Sequence, residues 1–308
     1  MAGCLPDFLQ TQDSNNNRKR ADFIEKSARL RKKSYLCTMN RTENIDFCIR
    51  YLLEQDGVQA EMPETLQEKQ LLLRALMNIW EPQPLSGEFL AAQDAELQSQ
   101  LADKGIMRLE RGDSSPNLGE QLAAAGISLW QGDITRLKVD AIVNAANSRG
   151  LGCWHPLHAC IDNAIHSAAG LQLRQECNNT LCGGEIATGE AIITPGYNLP
   201  AKYVIHTVGP IIASGIPNPD QEQQLADCYS NCLRLAEEKG CRSIAFCCIS
   251  TGEFRFPNRR AAEIAIDTCK NYQNLFSASL SEVHRTSFIF NVFKDIDYDI
   301  YRELLGSN

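Results

Sequence analysis

Residues 127–147 read ISLWQGDITRLKVDAIVNAAN and contain two short apolar segments, 127–131 and 140–145, separated by a polar turn. Both segments have the length and composition of β-strands. Similar apolar segments follow at 190–194, 202–208, 242–249 and 286–293, and helical periodicity fills the intervals at about 157–177, 220–239, 258–276 and 297–305. Strands that alternate with helices predict an α/β fold, with a mostly parallel central sheet covered by helices on both faces.

The chain before this region has a different composition. Residues 1–40 include the polar run NNNRKR and have no apolar face to bury, so we expect a flexible N-terminal extension there. Residues 41–125 predict a helical extension that packs on the α/β domain 126–308, with a linker containing Gly, Ser and Pro at 111–125. Two sets of residues lie on one helical face each: Ile45, Cys48, Ile49 and Leu52, and Leu71, Leu72, Leu76 and Ile79.

Charge and hydropathy narrow the classes of function. The net charge is −8, whereas nucleic-acid binding usually needs a positive surplus, because it is driven by the release of counterions. Apolar runs such as 243–249 are too short to span a bilayer, and the N-terminal residues have no apolar stretch of signal-peptide length. We therefore expect a cytoplasmic protein that binds neither nucleic acid nor membranes.

The chain has 13 cysteines. Cys247 and Cys248 lie in the apolar run SIAFCCIS, and Cys228 and Cys232 lie in a helical pattern. In a reducing compartment such cysteines act as small buried apolar residues. Two of the 13, Cys153 and Cys160, are different because they lie close to histidines.

The segment that follows the strand 140–145 is a candidate binding site. In open α/β sheets, ligands bind on the loops beyond the carboxyl ends of the strands. This strand ends in small residues and two asparagines, of which Asn147 offers both a donor and an acceptor to hydroxyl groups. Taken alone, the pattern fits a binding loop and an ordinary polar exit from a strand equally well.

Five motifs in order resemble the macrodomain family. They are GDIT at 132–135, VDAIVNAAN at 139–147, IDNAIHSAAG at 161–170, YVIHTVGP at 203–210 and ISTGEFRFP at 249–257. The resemblance covers about residues 127–305. It implies a three-layer α/β/α macrodomain with a mixed, mostly parallel central sheet, and it implies ADP-ribose as the ligand.

The resemblance also implies the residues that bind the nucleotide part of ADP-ribose. Asp133 would accept a hydrogen bond from the adenine amino group, Ile134 would belong to the same site, and Phe293 would stack on the adenine. The diphosphate would bind the backbone N–H groups of one loop, in the manner of an anion nest. That loop consists of Ser250, Thr251, Gly252, Glu253 and Phe254.

The distal ribose and the reaction would involve three further roles in the resemblance. Phe254 would also form a wall for the ribose, Asn147 would hydrogen-bond it, and Asp162 stands at the catalytic aspartate position. The chain departs from the family pattern at Glu253 and Arg255, which replace an aliphatic residue and a glycine. A carboxylate beside a diphosphate is unfavourable, so we expect Glu253 to contribute its backbone N–H and to point its side chain away.

The residues between Asn147 and Asp162 include a candidate metal site. Residues 148–161 read SRGLGCWHPLHACI and contain two cysteines and two histidines, of which Cys153, His158 and Cys160 are the candidate ligands for tetrahedral zinc. Three protein ligands leave a fourth position for water or substrate, as in catalytic zinc sites. Pro156 fits the first turn of the next helix, which would place His158 and Cys160 in the opening turns.

This run resembles the zinc-containing macrodomain subfamily, whose signature is Gly-Cys-aromatic-x-Pro-x-His-x-Cys-Ile-Asp-Asn and which also has a helical N-terminal extension. His155 falls at a variable position of the signature, so we expect it at the surface. The resemblance implies one Zn²⁺ per chain and a zinc-dependent hydrolase that removes mono-ADP-ribose from acidic side chains. The implied partner is a mono-ADP-ribosylated protein, with a lipoyl-carrier-type protein as one candidate.

In the expected mechanism, zinc acts as a Lewis acid on a ribose hydroxyl or a water, Asp162 orients or deprotonates that group, and Asn147 holds the sugar. Two alternatives stay open: a reader that binds ADP-ribosylated protein without cleaving it, and an enzyme that deacetylates O-acetyl-ADP-ribose. An unrelated zinc protease or deaminase is disfavoured, because the sequence has no H-E-x-x-H, H-x-E or C-x-x-C motif.

Overall fold

The structure is a computed structural model that describes residues 39–55, 57, 61–109, 126–213, 215–277 and 286–306. The predicted flexible segment 1–40, apart from Met39 and Asn40, and the predicted linker 111–125 lie outside the described residues. None of the helices among the described residues is long and apolar enough to cross a membrane.

Six strands of the described residues form one mixed sheet, as the sequence predicts. They are β1 (Ile127–Gln131), β2 (Ala141–Ala145), β3 (Ala191–Pro195), β4 (Tyr203–Thr207), β5 (Ser243–Phe246) and β6 (Ser287–Val292). The order is β1-β6-β5-β2-β4-β3, and every neighbouring pair is parallel except β3 and β4. Parallel strands bring their carboxyl ends to one edge of the sheet, where the residues after β1, β2, β4, β5 and β6 meet.

The described residues contain eight α-helices, three in the N-terminal extension and five in the α/β domain. They are α1 (Arg41–Gln55), α2 (Leu66–Ile79), α3 (Gly87–Lys104), α4 (Ile161–Ala169), α5 (Leu171–Leu181), α6 (Pro219–Glu238), α7 (Asn258–Ser277) and α8 (Asp295–Gly306), within the residues described above. Four successive residues of β2, 141–144, are buried although their side chains alternate between the two faces. Helices therefore cover both faces, and the predicted three-layer α/β/α fold is confirmed.

One predicted helix, 157–177, differs from the structure. It is replaced by two helices, α4 and α5, which are separated at Gly170 with φ of 98° and ψ of 171°. A Cβ on Gly170 would lie 2.7 Å from the side chains of Gln93 and Gln172, so only glycine fits this junction without movement. The first of the two helices begins at Ile161, after the predicted metal ligands.

The helices α1, α2 and α3 form a small core of their own. The predicted face of α1 is buried, with Ile45, Cys48 and Ile49 at 0% exposure. The predicted face of α2 is right only in part: Leu76 is buried as predicted, but Leu71 and Ile79 are 46% and 44% exposed, and the other buried apolar residues are Leu73 and Met77. Three consecutive leucines, 71–73, allow either face by spacing alone, and the contact with α1 selects the one that contains Leu73.

The extension contacts the α/β domain along α4 and α5. Both α2 and α3 pack against α4, and Leu171 belongs to the apolar cluster of the extension. Gln93 on α3 is fully buried, and its Oε1 accepts a hydrogen bond of 2.9 Å from the backbone N–H of Leu171. One side of the extension therefore adjoins the residues around Asp162.

Candidate functional site

A cavity of about 1120 Å³ opens at the edge of the sheet where the carboxyl ends of the parallel strands meet. All the residues that the sequence predicts for binding, catalysis and metal ligation line this one cavity. They are Asp133, Ile134, Asn147, Cys153, His158, Cys160, Asp162, Ser250, Thr251, Gly252, Glu253, Phe254 and Phe293. A cavity of this size accommodates a ligand as large as a dinucleotide.

Asp133 lies at one end of the cavity, directly after β1. Its Oδ1 accepts hydrogen bonds from the backbone N–H of Thr135 at 3.0 Å and from the Thr135 hydroxyl at 2.6 Å, which caps the short 3₁₀ helix Ile134–Arg136. Burial raises the pKa of Asp133, but the bonds from Thr135 and the charge of Lys104 outweigh it and lower the pKa. The aspartate is therefore an ionised acceptor.

The side chain of Phe293 is 76% exposed although it follows a buried strand, β6. A large apolar ring left in solvent at the rim of a cavity is available to a planar ligand. Asp133 and Phe293 follow β1 and β6, which are paired neighbours in the sheet, so both lie at the same side of the cavity.

The loop from Ser250 to Phe254 follows β5. Ser250 and Arg255 have positive φ values of 65° and 58°, which turn the chain sharply, and the Phe256 N–H closes the turn by donating to the Ser250 carbonyl at 3.0 Å. In the described part of the chain, the N–H groups of the intervening residues 252–254 have no partner. Such a row of free N–H groups can bind an anion.

Gly209, which follows β4, lets the loop 250–254 lie close to the backbone there. A Cβ on Gly209 would lie 2.0 Å from the Ser250 hydroxyl oxygen and 2.9 Å from Ile249. Because Ser250 is only 5% exposed, its hydroxyl has little room to move aside. The glycine in the motif YVIHTVGP is therefore needed for packing against the loop.

Three candidate metal ligands converge at the other end of the cavity. Ligand atoms of Cys153, His158 and Cys160 all lie within 4.8 Å of one another, and Cys153 Sγ is 3.6 Å from His158 Nδ1. The other ring nitrogen of His158 is 3.8 Å from the carboxylate of Glu253, and zinc-bound histidines are commonly oriented by such an acidic partner. The donor set and its spacing fit zinc.

One detail of this end differs from the prediction. His158 and Cys160 precede α4 instead of lying in its first turns: Leu157, with φ of 59°, is in a turn, and Cys160 is the N-cap, where its Sγ accepts from the Asn163 N–H at 3.4 Å. The Glu253 side chain is 77% exposed. His155 is exposed, as predicted.

The thiol of Cys160 is held in its neutral form in the metal-free chain. Burial raises the pKa of this thiol to about 12, and the nearby Cys153 and Asp162 add to the effect. A bound cation reverses this balance, because a coordinated thiol loses its proton.

Asp162 lies in the first turn of α4 and is 5% exposed. Its Oδ1 accepts a hydrogen bond of 2.8 Å from Asn144, and its Oδ2 accepts one of 3.3 Å from Asn147. Burial raises the pKa of Asp162 to about 6, in spite of the opposing effects of the two amides and Arg174. Both amides fix the orientation of the carboxylate at the wall of the cavity.

Asn147 connects Asp162 to the loop that carries the three candidate metal ligands. Its Nδ2 also donates to the Gly152 carbonyl at 3.0 Å, one residue before Cys153. Its Oδ1 is buried and has no hydrogen-bond partner among the described residues. The Asn147 amide therefore ties the Asp162 carboxylate to the backbone beside Cys153.

A buried group of polar side chains behind Asp162 was not among the predicted site residues. Asn144 Nδ2 also contacts His206 Nδ1 at 3.2 Å, and His206 Nε2 contacts the Thr194 hydroxyl at 3.0 Å. Burial lowers the pKa of His206 to about 3, so the ring is neutral, as expected of a core histidine. Asn144 stands in the motif VNAAN and could have been noted there. His206 forms a second buried group with His166 and Cys177, but both His206 ring nitrogens already have partners.

Side chains of the extension form the opposite wall of the cavity, whereas the sequence predicts only that the extension packs on the α/β domain. Polar and apolar side chains of α2 and α3 line it: Gln67, Gln70, Leu71, Arg74, Gln100 and Lys104. Leu71 is exposed because it faces the cavity instead of the core of the extension. Lys104 Nζ is 3.4 Å from Asp133 Oδ2.

Comparisons with known proteins identify the family of the chain. Residues 143–265 match the family described as Macro domain. The chain is 46% identical to a protein-ADP-ribose hydrolase of Treponema medium over 87% of this chain and 100% of the relative, and 46% identical to one of Staphylococcus aureus (strain MRSA252) over 79% and 86%. The chain belongs to the macro domain family.

A solved structure extends the likeness to the fold. The Trypanosoma brucei macrodomain in complex with ADP-ribose aligns with a TM-score of 0.54 and 31% identity, over 79% of this chain and 97% of that one. Residues 126–308 are too few to supply the 87% or the 79% coverage of this chain, so the similarity continues into the helical extension.

Proposed function

We propose that this chain hydrolyses the bond between ADP-ribose and an acidic side chain of a modified protein, with one zinc ion bound per chain. One observation carries the proposal: Asp162 and the Cys153, His158 and Cys160 cluster line the same cavity as the groups suited to adenine, diphosphate and ribose. The relatives named protein-ADP-ribose hydrolases support the broader activity, hydrolysis of ADP-ribose from protein.

ADP-ribose would lie across the cavity from Phe293 to Asp162. Phe293 would stack on the adenine, whose amino group would donate to Asp133 beside Ile134. The free N–H groups of the loop 250–254 would bind the diphosphate without a basic side chain. Asn147 and Phe254 would hold the distal ribose, which brings its anomeric carbon to the end of the cavity that contains Asp162.

Cys153, His158 and Cys160 would hold the zinc ion. Zinc bound by three protein ligands supplies Lewis acidity at an open fourth position. The carboxylate of Glu253 would orient His158 through the ring nitrogen that does not face Cys153, as the 3.8 Å contact suggests.

Asp162 would act as the general base. A water oxygen forms a bond to the anomeric carbon, the bond from that carbon to the ester oxygen breaks, and the target side chain leaves as a carboxylate. The proton released by the water passes to Asp162. Asn144 and Asn147 hold the base in one orientation, and the leaving carboxylate needs no acid because it is stable as an anion near neutral pH.

The test is release of free ADP-ribose from a protein mono-ADP-ribosylated on aspartate or glutamate. We expect the full chain to release it, and Asp162→Asn to lower the rate by about 10²–10⁴-fold, the usual loss when a general base is removed. ADP-ribose binding by Asp162→Asn, measured by calorimetry, serves as the control and should persist.

The two alternatives give different results in the same assay. A reader binds ADP-ribose and the modified protein but releases nothing. An enzyme for small molecules hydrolyses O-acetyl-ADP-ribose and leaves the modified protein intact. Release from arginine- or serine-linked protein in preference to acidic linkages would contradict the proposed substrate class.

A further inference from the structure

We infer that helix α2 of the extension positions the loop 153–160, and that Asn78 is the central positioning residue. The affinity of the site for zinc would then depend on a helix that contributes no ligand to the metal. This inference rests on the metal site of the proposed function and adds to it a role for the extension.

Asn78 is 1% exposed and uses its whole carboxamide. Its Oδ1 accepts from the backbone N–H of Leu157 at 3.0 Å and from Asn163 Nδ2 at 2.9 Å, and its Nδ2 donates to the Ser167 hydroxyl at 3.0 Å. Leu157, adjacent to His158, has the positive φ of 59° that a non-glycine residue adopts only when its surroundings hold it. The bond to Asn78 therefore holds the turn that orients His158.

Arg74 reaches the same loop from one turn earlier in α2. Its Nε and one terminal nitrogen donate to Asn163 Oδ1 at 3.1 and 2.6 Å, and that terminal nitrogen is 3.5 Å from the His158 carbonyl. Asn163 Nδ2 in turn donates to the His155 carbonyl at 3.0 Å. Residues four apart on a helix share a face, so Arg74 and Asn78 hold the loop on both sides of His158.

Arg174 connects the carboxyl end of α2 to Cys153. This side chain is 2% exposed, and its Nη1 donates to the carbonyls of Asn78 at 2.9 Å and Trp80 at 2.8 Å. Its Nη2 is 3.4 Å from the Cys153 carbonyl, and its guanidinium lies 4.3 Å from the centre of the Trp154 ring. A cation at the end of a helix is favourable, so the contact is stabilising for both elements.

These contacts hold the loop 153–160 at both of its ends before metal binds. Residues 153–160 have no helix or strand to hold them, yet their three ligand atoms already lie within 4.8 Å of one another. A preorganised loop avoids the entropy cost of ordering it around the ion. Groups that orient metal ligands typically contribute about 10–100-fold to metal affinity.

The experiment measures the zinc dissociation constant of the full chain by competition with a chromophoric chelator. We expect Asn78→Ala to weaken zinc binding by about 10–100-fold. Arg74→Ala, which lies at the cavity wall and opens no hole in the core, should also weaken it, and it serves if Asn78→Ala does not fold.

Gln93→Ala is the matched control. Gln93 is a buried amide of the same extension, and it bonds Leu171 and Gln172 at 2.9 and 2.6 Å but does not touch the loop. We expect it to lower the melting temperature as Asn78→Ala does and to leave the zinc dissociation constant unchanged.

The outcomes separate the inference from the proposed function. The wild-type chain could bind zinc while Asn78→Ala and Arg74→Ala show the same zinc dissociation constant. In that case the positioning role is wrong and the metal site stands. Equal weakening by Gln93→Ala would also overturn the inference, because the effect would then be one of general stability. A wild-type chain that binds no zinc would overturn both.

Discussion

Replacing Asn144 with alanine removes the shorter of the two hydrogen bonds that the Asp162 carboxylate accepts, 2.8 Å against 3.3 Å from Asn147. Asn144 is fully buried, so water does not replace the lost donor. A hydrogen bond to a charged group contributes about 1.5–3 kcal/mol, and we expect a loss of that size in the free energy of unfolding. For a domain of this size it corresponds to a melting temperature about 3–12 °C lower.

The effect on catalysis follows from the orientation of Asp162. With one amide left, the carboxylate can rotate about the remaining bond, and a displacement of about 1 Å in a reacting group can lower the rate by about 10²-fold. We expect Asn144→Ala to lower kcat by about 10–100-fold and to leave the Kd for ADP-ribose nearly unchanged, because Asn144 does not line the cavity. The assays are ADP-ribose release under saturating substrate and calorimetric binding of ADP-ribose.

Thr194→Val is the matched control for this prediction. Thr194 is 2% exposed, and its hydroxyl contacts His206 Nε2 at 3.0 Å, whereas Asn144 contacts His206 Nδ1. Removal of the Thr194 hydroxyl therefore weakens the same buried network without touching Asp162. We expect a stability loss of about 1 kcal/mol and an unchanged kcat. If Asn144→Ala keeps the wild-type kcat while its melting temperature falls, the positioning argument for Asp162 is wrong. An equal fall in kcat for both variants refutes it as well.

Two further predictions concern ADP-ribose binding. Phe293→Ala should raise the Kd for ADP-ribose by about 5–150-fold, since base–aromatic stacking contributes about 1–3 kcal/mol, and it should leave the melting temperature unchanged because the ring is 76% exposed. An unchanged Kd by calorimetry would exclude Phe293 from the adenine site. Gly209→Ala should weaken ADP-ribose binding by at least about tenfold, because the new Cβ, 2.0 Å from the Ser250 hydroxyl oxygen, must displace the loop 250–254. Gly87→Ala, where a Cβ meets nothing within 4 Å, is its control, and equal affinities for the two variants would contradict the role of Gly209.

The fold was predictable because its signals are local. Each strand is a short apolar segment, and the ends of β1 to β6 lie within a few residues of the predicted ends. The break at Gly170 was missed because 161–181 keeps a helical composition on both sides of it, whereas the packing that leaves no room for a Cβ there involves Gln93, which is distant in the sequence. The buried face of α2 was not fully predicted for a similar reason. Its three successive leucines, 71–73, fit either face, and packing against α1 determines which face is buried.

The residues of the site were predictable to the same extent. Those that follow strand ends, such as Asp133, Asn147 and Phe293, converge because parallel strands end at one edge of the sheet. The wall formed by α2 and α3 was not predictable, because the contact from Asn78 to Leu157 joins residues 79 positions apart. No pattern within either segment indicates that contact.

We propose that hydrolysis requires a metal ion held by Cys153, His158 and Cys160. The most direct measurement follows ADP-ribose release from protein modified on acidic side chains, with the chain as purified, after removal of metal by a chelator, and after zinc is restored. We predict that release stops on removal and returns with zinc, and that restored zinc does not rescue Cys160→Ser. Release that persists at the full rate in the metal-free chain, with metal content verified by elemental analysis, would contradict the claim.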